Sequence, residues 1–305
     1  MVVREVRQVV EQEWRSLERA HAARVDALTA EHLSRRSDAR GHPVADFLFT
    51  YYSHRPAQLR RWHPGPGVAL AGAVERADWR FYRSEGDVAV LDVEQLLAAR
   101  GSSVGFIRDL LARTAARPAQ LGCFGLHEWA MVYRQEPEQV RHADWPLRLG
   151  SEGTDRVVEQ HQIRCSHFDA YRFFTPPARP LNVLTPTREA QPALEQPGCL
   201  HANMDLYKWA YKLSPGVPSD LMLDCFELAR EVRELDMRAA PYDLRELGVD
   251  PVRIETSEGK AEYVAAQRSF SQRAQALRAR LVEACDDLLS AGPRPSPVPH
   301  TPVRA

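Results

Sequence analysis

Lysine is almost missing from this chain of 305 residues. Its 40 cationic side chains include only Lys208, Lys212 and Lys260 as lysines, and all the others are arginine. Where arginine is the default cation, a lysine indicates a position that needs a compact charge or an attacking amine. Two of the three lysines lie within one short segment, and that segment is therefore a candidate for chemistry.

Three further absences exclude whole classes of protein. No apolar run approaches the roughly 18 residues that span a bilayer, and the charged N-terminus lacks the apolar stretch of a signal peptide. The net charge of −1 excludes a chain drawn onto DNA by its overall charge, but not a local basic groove. An odd count of five cysteines argues against a disulfide framework. We therefore expect a cytoplasmic protein with no membrane partner and no obligate protein partner.

The spacing of apolar residues predicts an α+β protein, mainly α-helical with a small β-sheet, folded as a single compact domain. Helical spacing dominates residues 4–36, 91–116, 200–240 and 257–290. Short strand-like runs within 68–84 and the alternating segment 156–165 predict the sheet. We expect an N-terminal helical extension over 1–40, a catalytic domain over 41–290 and a disordered, proline-rich tail over 291–305.

Charged residues interrupt strongly apolar and aromatic runs between residues 120 and 240, where they must be paired or used. In the segment CLHANMDLYKWAYKL, Asp205, Lys208 and Lys212 share one face of a helix. A carboxylate beside a lysine suits glycosidic-bond cleavage, because it can activate water or stabilise a sugar cation. Lys208 would be an amine nucleophile or the ion-pair partner of Asp205. We favour the partner, since a neighbouring carboxylate raises the pKa of lysine. An ordinary helix ion pair is the alternative.

The segment LHEWAMVYR adds a second candidate group. His127 and Glu128 could act as an acid–base unit, while Trp129 and Tyr133 could stack on a base. The alternative for the two aromatic residues is an ordinary core position, because they are four residues apart on a helix.

Two Cys-x-His pairs, Cys165 with His167 and Cys199 with His201, suggest a tetrahedral zinc set. Buried cysteines with hydrogen-bonded histidines are the alternative. A broader hypothesis is a helical zinc or iron enzyme. Its ligands would come from His127, Glu128, His161, His167, His201 and Asp205.

Arginine and aromatic residues alternate in FTYYSHRPAQLRRWHPG, a composition that suits contact with DNA phosphates and bases. The candidate DNA-binding residues are Tyr52, His54, Arg55, Arg60 and Arg61. The segment KLSPGVPSD resembles the hairpin of helix–hairpin–helix DNA glycosylases only loosely. Pro218 stands where the second glycine would be and lacks the N–H that a phosphate needs, so the segment predicts a turn between two helices.

Several blocks together resemble a known family across about residues 40–285. They are FLFTYYSHRPAQLRRWHPG, GCFGLHEWAMVYR, HADWPLRLG, IRCSHFDAYRFFTPPARPLN, EQPGCLHANMDLYKWAYKLSP and CFELAREVRELDMRAAPYDL. The chain is similar here to actinobacterial proteins named 3-methyladenine DNA glycosylase. The resemblance implies a glycosylase-like catalytic domain acting on double-stranded DNA that contains a modified base. That base would be alkylated, or a bulky modified base of phage DNA removed in antiviral defence.

The resemblance implies base flipping, with the extruded nucleotide held in an aromatic pocket. Candidates for the pocket are Trp129, Tyr133, Phe168, Tyr171 and Asn203. Asp205 is the first candidate for the catalytic carboxylate, followed by Asp169 and Glu128, and His127, His167 or His201 would protonate the leaving base. This chemistry requires no cofactor. A non-enzymatic binding module is a third hypothesis, but it gives little reason for the charges placed among apolar residues.

Overall fold

The computed structural model of the chain describes residues 6–35, 41–135 and 144–291. The expected boundary near residue 40 and all but the first residue of the expected tail lie outside these ranges. The helices of the described residues are α1 (Glu11–Ser34), α2 (Phe47–Tyr51), α3 (Pro56–Leu59), α4 (Val93–Ala115), α5 (Leu126–Ala130), α6 (Gly150–Glu159), α7 (Phe168–Tyr171), α8 (Gln191–Leu194), α9 (Leu200–Leu213), α10 (Ser219–Arg238) and α11 (Ser257–Ala291).

One small sheet accompanies these helices, so the predicted α+β class with a helical majority is confirmed. Its strands are β1 (Arg7–Val9), β2 (Val68–Ala71), β3 (Tyr82–Glu85) and β4 (Val88–Leu91), in the order β1-β2-β4-β3. β1 runs parallel to β2, and the other two pairings are antiparallel. Leu70 and Ala89 are paired across β2 and β4 and are fully buried, so the centre of the sheet packs on the helical core.

The strand predicted over 156–165 is wrong, because residues 150–159 form α6. Its buried residues are Gly153, Thr154, Val157 and Val158, and the last three have the three- and four-residue spacing of one helix face. A short apolar pair fits a strand as well as a helix face, and local sequence does not decide between them. The strands β1 and β4 were not predicted.

The helical core is built from α4, α9, α10 and α11, which pack against one another. On α11 the buried positions recur every three or four residues along one stripe of the helix. They are Gly259, Tyr263, Gln267, Ser271, Ala274, Arg278, Leu281, Cys285 and Leu288. α9 lies at the centre of this core, with twelve of its fourteen residues buried, so polar side chains on it are enclosed by protein.

The turn predicted between two helices is confirmed, because α9 ends at Leu213 and α10 begins at Ser219. Pro218 is the residue immediately before α10. The Ser219 hydroxyl accepts a hydrogen bond of 2.8 Å from the backbone N–H of His63, which joins this turn to the segment before β2. No helix among the described residues is both long and apolar enough to cross a lipid bilayer.

The helix α1 belongs to the common core. Trp14 is fully buried, and its indole Nε1 donates a 2.8 Å hydrogen bond to the backbone carbonyl of Ala71 at the end of β2. Val25, two to three turns further on, is buried in the same cluster. The N-terminal segment therefore contributes apolar surface to the domain that carries the other helices.

We expect Trp14→Ala to lower the free energy of unfolding by about 3–5 kcal/mol, because it leaves a large cavity and an unpaired carbonyl. Urea denaturation measures this change. The control is Leu17→Ala on the same helix, whose side chain is 46% exposed and whose loss should matter little. Equal destabilisation by both substitutions would show that α1 is not docked as described.

Candidate active site

The centre of the site is a lysine held between two carboxylates. Lys208 Nζ donates to Asp205 Oδ2 at 2.9 Å and to Asp169 Oδ2 at 3.0 Å. Asp205 and Lys208 are three residues apart on α9, so they face the same way, as their spacing predicted. Asp169 comes from α7, so the contact ties together two segments that are remote in sequence.

Further contacts fix both carboxylates. The Tyr52 hydroxyl donates to Asp205 Oδ1 at 2.8 Å, and Arg188 Nη2 donates to Asp169 Oδ1 at 3.2 Å. Asp205 is 1% exposed and Asp169 is 6% exposed. Asp169 is thus the outer carboxylate and Asp205 the inner one.

At this centre the neighbouring charges shift the pKa values of the buried groups more strongly than burial does. Burial would raise the pKa of Asp205, but Lys208 and His167 outweigh it and hold that pKa well below its usual range. Burial would likewise lower the pKa of Lys208, but Asp205 and Asp169 hold it far above its usual range. An ammonium kept charged in this way is a poor nucleophile, which supports the ion-pair role of Lys208.

His167 lies behind this ion pair. Its Nε2 is 3.4 Å from Asp205 Oδ2 and 3.4 Å from Glu195 Oε1, and neither ring nitrogen makes a hydrogen bond within the described residues. Gln191 on α8 donates to the same Glu195 oxygen at 2.6 Å. Burial raises the pKa of Glu195 despite the nearby His167. Sequence reasoning missed Glu195, because it follows a short helix in a loop rich in proline and glutamine and has no local pattern.

A second buried cluster lies beside the first. His127 Nε2 is 2.8 Å from Asp236 Oδ1, while Arg233 Nη1 donates to Asp236 Oδ2 at 2.9 Å and to Glu128 Oε1 at 3.1 Å. The predicted pair His127 and Glu128 is therefore buried, and its partners on α10 were not among the predicted site residues. Their i, i+3 spacing on α10 was the only local signal.

His201 connects the two clusters. Its ring lies edge-on to His127, with centroids 4.5 Å apart, and stacks on His167 at 5.3 Å. Burial lowers the pKa of His201 well below its usual value, and the neighbouring His127 and His167 lower it further. Burial and these two neighbours therefore favour the neutral form of His201.

A groove of about 870 Å³ opens beside Lys208. Its lining combines six cations with five aromatic rings and contains no carboxylate. The cations are Arg61, Arg80, Arg100, Arg188, Lys208 and Lys212, and the aromatic residues are Trp79, Phe81, Phe106, Trp209 and Tyr211. We call this surface the cationic groove. A chain with a net charge of −1 thus concentrates positive potential at one place.

Three members of the predicted aromatic pocket lie away from the cationic groove. Trp129 is fully buried and donates to the Ala239 carbonyl at 2.8 Å. The Tyr133 hydroxyl donates to Glu159, and the Asn203 amide donates to the Pro197 carbonyl. These side chains are held by internal hydrogen bonds, and none lines the cationic groove.

The other two pocket candidates are half-buried. Phe168 lies under the guanidinium of Arg188, 4.8 Å from its ring centre, and Tyr171 packs on Phe174. Neither residue lines the cationic groove, although Arg188 does.

The predicted DNA-binding segment is only partly exposed. Tyr52 and His54 are buried, and Tyr52 belongs to the site through its bond to Asp205. Arg60 forms an ion pair with Asp26 on α1 at 2.8 Å. Arg55 is exposed outside the groove, and Arg61 alone of this set combines exposure with a place in the groove lining.

The predicted Cys165–His167–Cys199–His201 zinc set does not assemble, because its four ligand atoms form no common group. Two other sets do gather ligand atoms within 4.8 Å of one another. One is His127, His201 and Asp236, and the other is His167, Glu195 and Asp205. The histidines of the broader metal hypothesis are therefore split between these two sets, except for His161. The His161 ring makes a hydrogen bond with the backbone carbonyl of Val157.

Comparisons with known proteins identify no relative: no family model, no curated protein and no solved structure matches the chain. Function is therefore argued from the geometry of the site.

His54 is buried at the edge of the cationic groove, and this burial can be tested through the pH dependence of stability. Its ring stacks on Tyr211 at 4.7 Å, and burial lowers its pKa to about 4. Because an unfolded histidine has a pKa near about 6.5, the stability that neutral His54 contributes is complete above that pH and is lost as the pH falls toward 4.

We expect His54→Phe, which keeps a ring for stacking, to reduce this acid sensitivity. Between pH 7 and pH 4 the free energy of unfolding of the wild type should fall by about 3 kcal/mol more than that of the variant. Urea denaturation at several pH values measures the difference, and parallel curves would contradict the burial of a neutral His54.

Proposed function

We propose that the protein is a DNA glycosylase, which flips a modified base out of double-stranded DNA and hydrolyses its N-glycosidic bond to leave an abasic site. The observation that carries this proposal is the position of Lys208. Its ammonium lines the cationic groove on one side and contacts Asp205 and Asp169 on the other. Lys208 therefore links a groove suited to nucleic acid to the pair of carboxylates that lies behind it.

The groove supplies both kinds of contact that a nucleic-acid strand needs. Arg61, Arg80 and Lys212 form no ion pair with a carboxylate of the described residues, which leaves their charges for phosphates. Phe106, which is exposed, and Trp79, which is half-buried, provide ring faces on which extruded bases can stack. A site of about 870 Å³ accommodates a bulky base together with its flanking phosphates.

The charge at the end of the groove suits cleavage of a glycosidic bond. When the C–N bond breaks, its electron pair leaves with the base and the sugar becomes a cation. Asp169 and Asp205 stabilise that cation, and the Lys208 ammonium stabilises the negative charge on the departing base. Water then adds to the anomeric carbon, and its proton passes to a carboxylate. Asp169 is the more exposed carboxylate, so it meets the water, and Asp205 holds Lys208 in place.

A metal-dependent hydrolase is the second candidate function. His167 favours it, because its ring nitrogens are buried without a hydrogen bond and Nε2 faces two carboxylate oxygens at 3.4 Å. Against it, Lys208 and Tyr52 already neutralise and bond Asp205. Metal analysis of the purified protein, alone and after His167→Ala, separates this function from the first.

The proposed function is tested with DNA duplexes carrying single alkylated, deaminated, oxidised or glucosylated bases. Incubation followed by alkali converts each abasic site into a strand break, and an unmodified duplex is the control. Strand breaks at one class of modified base identify the substrate. Intact strands throughout the panel would contradict the proposal.

We expect Asp205→Asn and Asp169→Asn each to lower the rate of base release by at least about 100-fold. Each substitution removes a negative charge but preserves shape and one accepting oxygen. Lys208→Arg should keep part of the activity, because a cation remains between the carboxylates.

Borohydride should trap no enzyme–DNA adduct, since a charged lysine forms no Schiff base. An efficient trap lost in Lys208→Arg would assign the nucleophile to Lys208 instead.

DNA affinity should depend on the cations that line the groove and not on Arg60, which the sequence suggested but which lies outside it. We expect Arg80→Ala combined with Lys212→Ala to weaken binding and to lower the slope of log affinity against log salt by about one per residue. Arg60→Ala is the matched control, because Arg60 is already paired with Asp26. Fluorescence anisotropy over a range of salt concentrations measures both. A larger effect of Arg60→Ala would place the DNA elsewhere.

A further inference from the structure

A cysteine completes a triad with the second buried cluster. Cys123 lies three residues before α5, and its Sγ is 3.6 Å from His127 Nδ1. The other ring nitrogen of His127 is 2.8 Å from Asp236 Oδ1. A thiol, an imidazole and a carboxylate thus follow one another in the order nucleophile, base and orienting group.

The carboxylate is fixed from its other side. Arg233 Nη1 donates to Asp236 Oδ2 at 2.9 Å, so Asp236 stays ionised and cannot rotate freely. Because Asp236 accepts from Nε2 of His127, that nitrogen carries the proton and Nδ1 faces the thiol. Burial would lower the pKa of His127, but Asp236 and Cys123 raise it well above its usual value. Nδ1 is therefore placed to accept the thiol proton as the sulfur attacks.

Cys123 is also reachable from solvent. It is half-buried and lines a pocket of about 370 Å³ together with Phe124, Gln162 and Arg164. Arg164 donates to the Gln162 side chain at 2.8 Å and brings a cation to the pocket. The cationic groove has a different lining, and no residue is common to the two.

We propose that Cys123 is the nucleophile of a second reactive centre, with His127 as its proton donor and acceptor and Asp236 as the orienting carboxylate. Its substrates are small acyl compounds, either esters or thioesters, that carry an anionic group facing Arg164. The proposal does not rest on glycosylase activity, because it uses a separate pocket and a separate set of side chains.

The reaction balances without any additional oxidant or cofactor. The Cys123 sulfur attacks the carbonyl carbon, a C–S bond forms, and the bond to the leaving oxygen or sulfur breaks. The leaving group takes the proton from His127 Nδ1. Water then attacks the thioester and gives a proton to His127, and the carboxylic acid departs as the thiolate is restored.

Alkylation by iodoacetamide at pH 6 tests the reactivity of the thiol, with the modified peptides identified by mass spectrometry. We expect Cys123 to react about tenfold faster than glutathione, because the adjacent His127 accepts its proton during the attack, whereas the glutathione thiol has no such base beside it. The other four cysteines serve as reporters of unfolding. Cys165, Cys225 and Cys285 are buried, and burial raises the pKa of Cys199 above its usual value.

Substitution of His127 separates a triad from a merely exposed cysteine. His127→Gln should remove the excess reactivity of Cys123 while the other four cysteines stay protected, which shows that the variant is folded. Cys285→Ser is the matched control and should leave the Cys123 rate unchanged. If Cys123 reacts no faster than glutathione, or keeps its rate in folded His127→Gln, the proposal is overturned.

Acyl transfer is tested with p-nitrophenyl acetate as the probe. We expect a burst of one nitrophenolate per protein molecule and an acetyl group on Cys123, both lost in Cys123→Ser. Rapid alkylation without an acetyl adduct, or acetylation of another residue, would overturn the assignment of acyl chemistry. Base release from modified DNA should be unaffected in Cys123→Ser, so the two proposals fail independently.

Discussion

The ammonium of Lys208 between the carboxylates of Asp205 and Asp169 is the contact on which the rest of the site depends. A buried charge without a partner costs several kcal/mol, so each member of this group requires the others to be in place. The carboxylates come from α7 and α9, and Tyr52 reaches them from the segment after α2. The same contact therefore joins three remote segments and gives the end of the groove its charge.

The sequence predicted what local periodicity controls. The spacing of Asp205 and Lys208 placed them on one helix face, and apolar runs predicted the long helices and the strand at 68–71. Contacts between remote segments could not be predicted. Arg60 has the local sequence of a phosphate ligand, but its partner is Asp26, which lies 34 positions earlier in the chain and has no local relation to it. Glu195 had no local pattern, and Val157 and Val158 fitted a strand as well as a helix.

The two candidate centres differ in the size and composition of the cavity through which each reaches solvent. Lys208 reaches a broad groove with cations and flat rings, as an extended polyanion requires. Cys123 reaches a smaller pocket, as a small acyl compound requires. Between them α9 contributes Asp205 and Lys208 to the first centre and His201 to the boundary with the second. One buried helix thus links the two candidate centres.

The contacts of His201 with His127 and His167 join the two clusters into a single titrating system. A proton added to one cluster lowers the proton affinity of the other, and by thermodynamic reciprocity the reverse is equally true. Any ligand that changes the charge around Asp205 therefore changes the electrostatic environment of His127. Charge at the end of the cationic groove and protonation of the second cluster are thus linked across the ring of His201, with no movement of the backbone required.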